Sequence, residues 1–182
     1  MSETTPSPTG APATGAQQVP PLVVNIQYVK DLSFEVPGAP GIFATLRSQP
    51  SVQINLDVQA RRIQEGQNVF EVTLAARAEA TEGAAQGNGQ NTPEAGRTVF
   101  IAELAYAGIF TLNNLPDNAV EPVLLVECPR LLFPFARNVL ADVTREGGFA
   151  PVLLQPIDFV ALWQARRAAQ AQAEPGPSSA IA

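Results

Sequence analysis

The chain has 182 residues, of which 46% are hydrophobic and 15% are charged, a composition typical of one folded domain with a substantial core. Eleven basic and seventeen acidic side chains give a net charge of -6, which argues against a nucleic-acid binder, because such proteins need a basic surface for the phosphates. The chain has no histidine and one cysteine, Cys128, which excludes histidine-based catalysis, histidine metal ligands and an internal disulfide.

Both ends of the chain have compositions typical of disordered segments. Residues 1–21 contain five prolines and one charged side chain, and residues 173–182 are rich in proline, serine and alanine. We therefore expect a folded domain at 22–172 between two loose tails. The first tail lacks the positive start and apolar run of a signal peptide, and no segment has the length of a membrane helix, which predicts a soluble, cytoplasmic protein.

Four stretches alternate apolar and polar residues with period two, as half-buried strands do. In the first, the even-numbered residues from Leu22 to Val36, apart from Lys30, are expected on the core, with Asp31 and Glu35 toward water and a bend near Lys30. A glycine- and asparagine-rich loop at 83–96 is expected to be mobile, and residues 42–50 are expected to form another loop. The strands are predicted at 22–36, 52–58, 70–79 and 98–112.

The fourth predicted strand is apolar on both faces, interrupted only by Glu103. Helices on one side of a sheet cover one face, so we expect a second copy of the chain to cover the other. The alternative is that a helix or the long loop of the same chain covers it. The residues expected at the interface between copies are Val99, Ile101, Ala105 and Ala107.

After residue 113 the apolar period becomes helical. We predict a short helix at 119–127, a longer one from Arg130 to a glycine cap at 147–148, and a last helix at 158–172 with Asp158 as its N-cap. The packed stripe of the long helix is expected to be Leu132, Phe135, Val139 and Val143. Strands followed by helices predict an α+β fold: a four-stranded antiparallel sheet with helices packed on one face.

Two surfaces suggest binding. Asp31 and Glu35 project from one strand face about 13 Å apart, and with Glu103 they form either a docking face for a basic partner or ordinary solvated charges. Two loops are unusually apolar, and they either seal the core or wall a groove for extended apolar polypeptide. The apolar loop residues are Ile42, Phe43, Phe149, Val152, Leu153, Leu154 and Ile157. No catalytic, nucleotide-binding or cofactor motif occurs, so no catalytic residue, metal or cofactor is expected, and Cys128 is expected to be a buried structural thiol.

Several strings, in order and spacing over about residues 24–163, resemble SecB, the tetrameric protein-export chaperone family of Gram-negative bacteria. They are KDLSFEVPGAP (30–40), GIFTL (108–112), CPRLLFPFAR (128–137) and GGFAPVLLQPIDFVALW (147–163).

The resemblance implies a dimer of dimers that holds unfolded secretory precursors in the cytoplasm without ATP and delivers them to the SecA ATPase. It implies SecA contacts at Asp31, Glu35, Ile101 and Glu103, and a client groove walled by the apolar linker 149–157. A related chaperone dedicated to a single partner, such as a toxin–antitoxin system, is the second hypothesis. An enzyme is the third, and the absence of a nucleophile–base pair speaks against it.

Overall fold

The computed structural model describes residues 19–82 and 96–173. The predicted tails and the predicted mobile loop at 83–96 lie almost entirely outside these ranges. At the start of the described chain, the backbone N–H of Asn113 donates to the carbonyl of Pro21, and its side-chain amide donates to the carbonyl of Pro20, both at 2.9 Å. The attachment of the chain to the sheet therefore begins at Pro20, slightly before the predicted boundary.

The strands are β1 (Leu22–Glu35), β2 (Ser51–Arg62), β3 (Val69–Thr81) and β4 (Thr98–Leu112). They form one antiparallel sheet in the order β1–β4–β3–β2, which confirms the predicted α+β architecture. The edge strand β2 is longer than predicted, because Arg61 and Arg62 continue its pairing with β3 although the apolar alternation has ended.

The helices are α1 (Gly41–Thr45), α2 (Asp117–Pro122), α3 (Cys128–Glu146) and α4 (Phe159–Ala173), with a π-helical turn at Val123–Glu127. α2, the π-helical turn and α3 follow one another without a break, so the two helices predicted separately are continuous. α1 occupies part of the expected loop 42–50. Asp158 caps α4 as predicted, since its Oδ1 accepts the N–H groups of Val160 and Ala161 at 3.0 Å. None of the helices in residues 19–82 and 96–173 combines the length and the apolar character that a membrane-spanning helix requires.

The core lies between α3 and the even-numbered residues of β3 and β4. α3 approaches β4 closely at Gly108, where an added β-carbon would meet Phe110 and Leu132 within 3 Å. The prediction of the α3 stripe is wrong for Phe135, which is 49% exposed. The fully buried α3 residues on this contact are Leu132, Ala136 and Leu140.

β1 contains two bulges that its sequence pattern does not reveal. Its register moves from Val24 opposite Phe110 to Ile26 opposite Ile109, and again at Lys30, the position of the expected bend. Each bulge exchanges the two faces of the strand. The prediction that Ile26 and Tyr28 share the core face with Leu22 is therefore wrong, because both point away from the helices.

Candidate functional site

The four residues expected to contact SecA lie together on the outer face of the sheet, the face that points away from the helices. In the register of β1 with β4, Asp31 is opposite Ala105, and Glu35 is opposite Ile101. Glu103 lies on the same face between them, opposite Ser33. Asp31, Glu35, Ile101 and Glu103 thus form one continuous surface, here called the acidic face.

The carboxylates of the acidic face differ in their partners. Glu103 is ion-paired with Arg77, which also contacts Glu79 at 3.2 Å. Asp31 and Glu35 form no ion pair with any side chain in the described ranges, and both are exposed. These two carboxylates are therefore available to a cationic partner.

Beside the acidic face lies a buried carboxylate, Glu71 on β3, which is 4% exposed. Its oxygens accept hydrogen bonds from the Tyr28 hydroxyl, from Lys30 Nζ at 2.8 Å and from Arg61 Nε at 2.5 Å. The bond from Arg61, followed by those from Lys30 and Tyr28, lowers the pKa of Glu71 to about 2 against the opposing effect of burial. The hydrogen bond to this carboxylate and burial raise the pKa of Tyr28. These four residues are called the Glu71 network.

The period-two alternation of the third strand predicts Glu71 on its water-facing side, where an ordinary solvated carboxylate is expected. Its three partners come from β1 and β2, at sequence distances of 10 to 43 residues. No local pattern signals such a network. Only the sheet order and the β1 bulges bring its members together.

The apolar outer face of β4 is partly covered within a single chain. Ala107 is fully buried between its cross-strand neighbours Tyr28 and Thr73, and Val99 is fully buried at a register shift and belongs to the core cluster. Neither side chain offers accessible surface to a second copy. Ile101 and Ala105 are half-buried. Side chains of the neighbouring strands cover this part of β4. The alternative expected from the sequence was cover by a helix or by the long loop of the same chain.

The residues expected to wall a client groove separate into two groups. Ile42, Val152 and Leu154 are buried in the core, so the alternative interpretation, that they seal it, is correct for these three. Phe43 and Leu153 are 52% and 57% exposed, and Phe149 and Ile157 are half-buried. The second group, on the helix side of the sheet, is available for binding.

Four phenylalanines from β1, α1, β4 and the linker meet at this site. The ring of Phe149 lies 4.9 Å from Phe100, 5.4 Å from Phe43 and 6.3 Å from Phe34. Phe100 and Phe149 also line a cavity of about 350 Å³, whose other side is formed by residues 46–50. This cluster and cavity are called the aromatic groove.

Thr144 fixes the linker that supplies Phe149. Its Oγ1 accepts the N–H of Val152 at 3.0 Å, and its carbonyl accepts the N–H of Phe149 at 3.2 Å. Thr144 is fully buried, and its hydroxyl donates to the backbone carbonyls of the preceding turn. The linker therefore has a defined conformation although its sequence has no helical or strand pattern.

A second cavity of about 320 Å³ lies under α4, lined by Val58, Leu125, Leu162 and Trp163 among others. Arg166 attaches α4 to the edge strand β2 through the Val58 carbonyl at 2.5 Å and Asp57 at 3.2 Å. This cavity was not foreseen, because it depends on a contact between segments more than 100 residues apart.

The single cysteine of the chain, Cys128, is buried. Burial raises the pKa of the Cys128 thiol to about 12, as expected for a structural cysteine. Across 19–82 and 96–173, no three cysteine, aspartate or glutamate side chains are grouped as metal ligands.

Comparison with known proteins identifies relatives over nearly the whole chain. The family model described as preprotein translocase subunit SecB matches residues 15–170. The protein-export protein SecB of Granulibacter bethesdensis is 69% identical over 160 residues, which cover 88% of this chain and 90% of that protein. The protein-export protein SecB 1 of Gluconobacter oxydans is 61% identical over 172 residues, which cover 93% and 95%.

A solved structure with the same fold is the SecB-like chaperone of Mycobacterium tuberculosis, determined in complex with a peptide from the HigA1 antitoxin. It matches with a TM-score of 0.57 at 12% identity, covering 75% of this chain and 91% of that one. The family match and the high identities over most of both chains agree with the motifs and the fold, and this chain belongs to the SecB family.

Proposed function

We propose that this protein is an ATP-independent chaperone that binds unfolded secretory precursors in the cytoplasm, keeps them translocation-competent and delivers them to SecA. The observation that carries the proposal is the placement of two different surfaces on opposite sides of one sheet. An aromatic groove lies on the helix side, and an acidic face lies on the other. A client and a partner can thus be bound at once.

The aromatic groove suits an extended apolar segment with little sequence selectivity. Phe43 of the groove and Leu153 of the same linker as Phe149 offer exposed apolar surface, whose burial is worth about 25 cal/mol per Å². One such contact is weak, but several grooves on one oligomer can engage one long chain, because each later contact is intramolecular. Binding only the unfolded chain opposes its folding by mass action, which needs no nucleotide.

The acidic face suits a basic surface on SecA. Asp31 and Glu35 are exposed and without an ion pair in the described ranges, so a partner need not displace an existing contact. Charges at such a rim chiefly increase the association rate and the specificity. We therefore assign SecA binding to Asp31, Glu35, Ile101 and Glu103, and client binding to the exposed part of the aromatic groove.

The proposed assembly is a homotetramer, a dimer of dimers. An uncovered apolar surface on the helix side supports it: Phe135 of α3 stacks on Tyr106 at 6.2 Å, and Tyr106 pairs with the exposed Val29 of β1. Leu32 and Leu131 are also exposed. The apolar side chains of this surface are exposed, whereas Val99 and Ala107 are fully buried, so we propose it as an interface in place of those two residues.

The second candidate is a chaperone dedicated to one partner. The solved SecB-like chaperone that shares this fold carries a peptide from an antitoxin. Affinity purification from the organism's cytosol separates the two proposals. An export chaperone retains many unfolded precursors, whereas a dedicated chaperone retains one dominant protein.

Refolding of a denatured, slow-folding precursor tests the main proposal. The protein is expected to slow refolding in the absence of ATP, and added SecA is expected to bind the complex. A double variant, Phe43→Ser with Leu153→Ser, should slow refolding less. Ile63→Ser is the control, because Ile63 is also an exposed apolar residue, at 42%, but lies at the β2–β3 turn. Refolding at the same rate with and without the protein would refute the proposal.

A further inference from the structure

The acidic face depends on the second bulge of β1. Val29 is opposite Tyr106, and Asp31 is opposite Ala105, so Lys30 has no cross-strand partner. If β1 were regular here, Lys30 would face Ala105 and Asp31 would turn to the helix side, because a slip of one residue exchanges the faces of a strand. Glu35 would turn with it. The bulge therefore decides whether these carboxylates reach the outer face.

Tyr28, just before this bulge, and Lys30, within it, both donate hydrogen bonds to the carboxylate of Glu71. Lys30, the bulged residue, extends across β4 and donates from Nζ to Glu71 Oε2 at 2.8 Å. Tyr28, two residues earlier, donates from its hydroxyl to Glu71 Oε1. Glu71 is almost completely buried, so water has little access to replace either donor. The Glu71 carboxylate thus holds β1 at two points, Tyr28 before the bulge and Lys30 within it.

The third donor fixes the carboxylate itself. Arg61 on the edge strand β2 donates from Nε to Glu71 Oε2 at 2.5 Å, the oxygen that Lys30 also uses. Glu71, which lies on β3, is therefore hydrogen-bonded to side chains from both edge strands of the sheet, β1 and β2. It also compensates the charge of Lys30, the neighbour of Asp31 in the chain, which would otherwise oppose a basic partner.

The composition of β4 fits this arrangement. Tyr28 is opposite Ala107, and Asp31 is opposite Ala105, so β4 presents only methyl groups where Tyr28 and Lys30 cross it. Larger side chains would occupy that path. The small residues on this side of β4 therefore have a role other than contact with a second copy.

We infer that Glu71 is a positioning residue of the acidic face: it clamps the bulge at Lys30 and so directs Asp31 and Glu35 outward. The inference rests on the proposed function for the identity of the partner. The clamp itself is a property of the unbound protein.

The test compares Glu71→Gln with Glu79→Gln in the full-length protein. Glu79 is the matched control, because it lies on the same strand and face, loses the same charge and, within the described ranges, forms an ion pair only with Arg77. Glu71→Gln is expected to weaken binding of purified SecA about tenfold, and Glu79→Gln less than about threefold. In the unbound protein, amide hydrogens of residues 28–33 should exchange faster in Glu71→Gln only.

A double variant separates position from charge. Lys30→Gln with Glu71→Gln has the net charge of the wild type but lacks the clamp, so its SecA binding should remain weak. Recovery to wild-type affinity would overturn the inference, since charge alone would then account for the loss. Refolding of a precursor should be slowed equally by all these variants, a result that general structural damage would not give.

Two further results separate this inference from the proposed function. If Asp31→Ala leaves SecA binding unchanged, the docking face is wrong, and the exchange of residues 28–33 still decides the role of Glu71. If Asp31→Ala weakens binding while Glu71→Gln behaves like Glu79→Gln in both measurements, the clamp is wrong and the docking face stands. Tyr28→Phe, which removes one hydroxyl, gives the same readouts with a smaller expected effect if Glu71→Gln does not fold.

Discussion

Gly147, at the end of α3, lies directly against the ring of Phe34 on β1, and a β-carbon at this position would overlap that ring. Phe34 in turn lies 5.5 Å from Phe100, whose ring contacts Phe149. The absence of a side chain at residue 147 therefore allows the aromatic groove to close around Phe34.

We predict that Gly147→Ala displaces Phe34, so that the variant slows precursor refolding less than the wild type does. The backbone φ of Gly147 is -72°, a value that alanine adopts freely, so any effect arises from the contact with the ring. Such overpacking typically costs about 1–3 kcal/mol in the free energy of unfolding. Urea unfolding and the refolding assay measure the two effects.

Gly41→Ala is the control for this variant, because an added β-carbon at Gly41 would meet nothing within 4 Å. It should change neither stability nor refolding appreciably. Wild-type behaviour of Gly147→Ala in both assays would show that Phe34 moves aside at no cost.

A second prediction concerns the acidic face. Asp31→Ala or Glu35→Ala should weaken SecA binding and make it less sensitive to salt, because each variant removes one charge from an exposed electrostatic contact. Client binding should remain nearly intact, since the aromatic groove is on the other side of the sheet. Titration calorimetry at two salt concentrations and the refolding assay give both quantities.

Asp142→Ala serves as the charge-matched control, because Asp142 is exposed on α3, on the helix side of the sheet. It should leave SecA binding at the wild-type level. An equal loss of SecA and client binding in Asp31→Ala would contradict the separation of the two surfaces.

The sequence was sufficient wherever a local pattern determines the structure. The bounds of β4 and the cap at Asp158 were predicted correctly, because alternation and capping involve neighbouring residues. The faces of β1 could be predicted only in part, since the bulges interrupt a pattern that still looks regular at Ile26. The grouping of Asp31 with Glu35 survived because no bulge lies between them.

What could not be predicted depends on contacts between distant segments. Glu71 looked like a solvated residue because its partners lie on two other strands. The burial of Ala107 beside Tyr28 could not be predicted either, because the alternation of β1 places Tyr28 on the opposite face. A shift of one residue in the register of β1 thus decides which side chains cover β4.

The third prediction uses the pH dependence of stability. The pKa of Glu71 is about 2 in the folded protein, below its ordinary value of 4.5. A carboxylate with a lowered pKa stabilises the fold fully above its ordinary pKa and loses this contribution as the pH falls toward the folded value. The contribution of Glu71 should therefore be constant near neutral pH and should disappear between pH 4.5 and about 2.

Urea unfolding of the wild type and Glu71→Gln over this range measures the effect, at one protein concentration because assembly contributes to stability. At pH 7 the variant should be less stable by about 2 kcal/mol, and the difference should shrink on acidification. The free energy of unfolding of Glu79→Gln should differ from that of the wild type by the same amount at every pH in this range. A difference that stays constant down to pH 2 would show that the carboxylate charge is not the cause.

The last prediction decides which apolar surface joins the copies. Light scattering of the wild type should give about four times the chain mass of 19.2 kDa. Phe135→Asp should lower this mass, because it places a charge in the exposed apolar surface formed by α3 and β1. Ile101→Asp should leave the mass unchanged, since Ile101 belongs to the acidic face on the opposite side of the sheet.

The same two variants also connect assembly with function. A chain dissociated by Phe135→Asp retains its aromatic groove but offers a client fewer grooves at once, so it should slow refolding only at higher protein concentration. Ile101→Asp should change the affinity for SecA, and it should slow precursor refolding as much as the wild type does. If Ile101→Asp instead dissociates the assembly while Phe135→Asp does not, the interface lies on the outer side of β4, and SecA cannot bind to the same residues of the assembled protein.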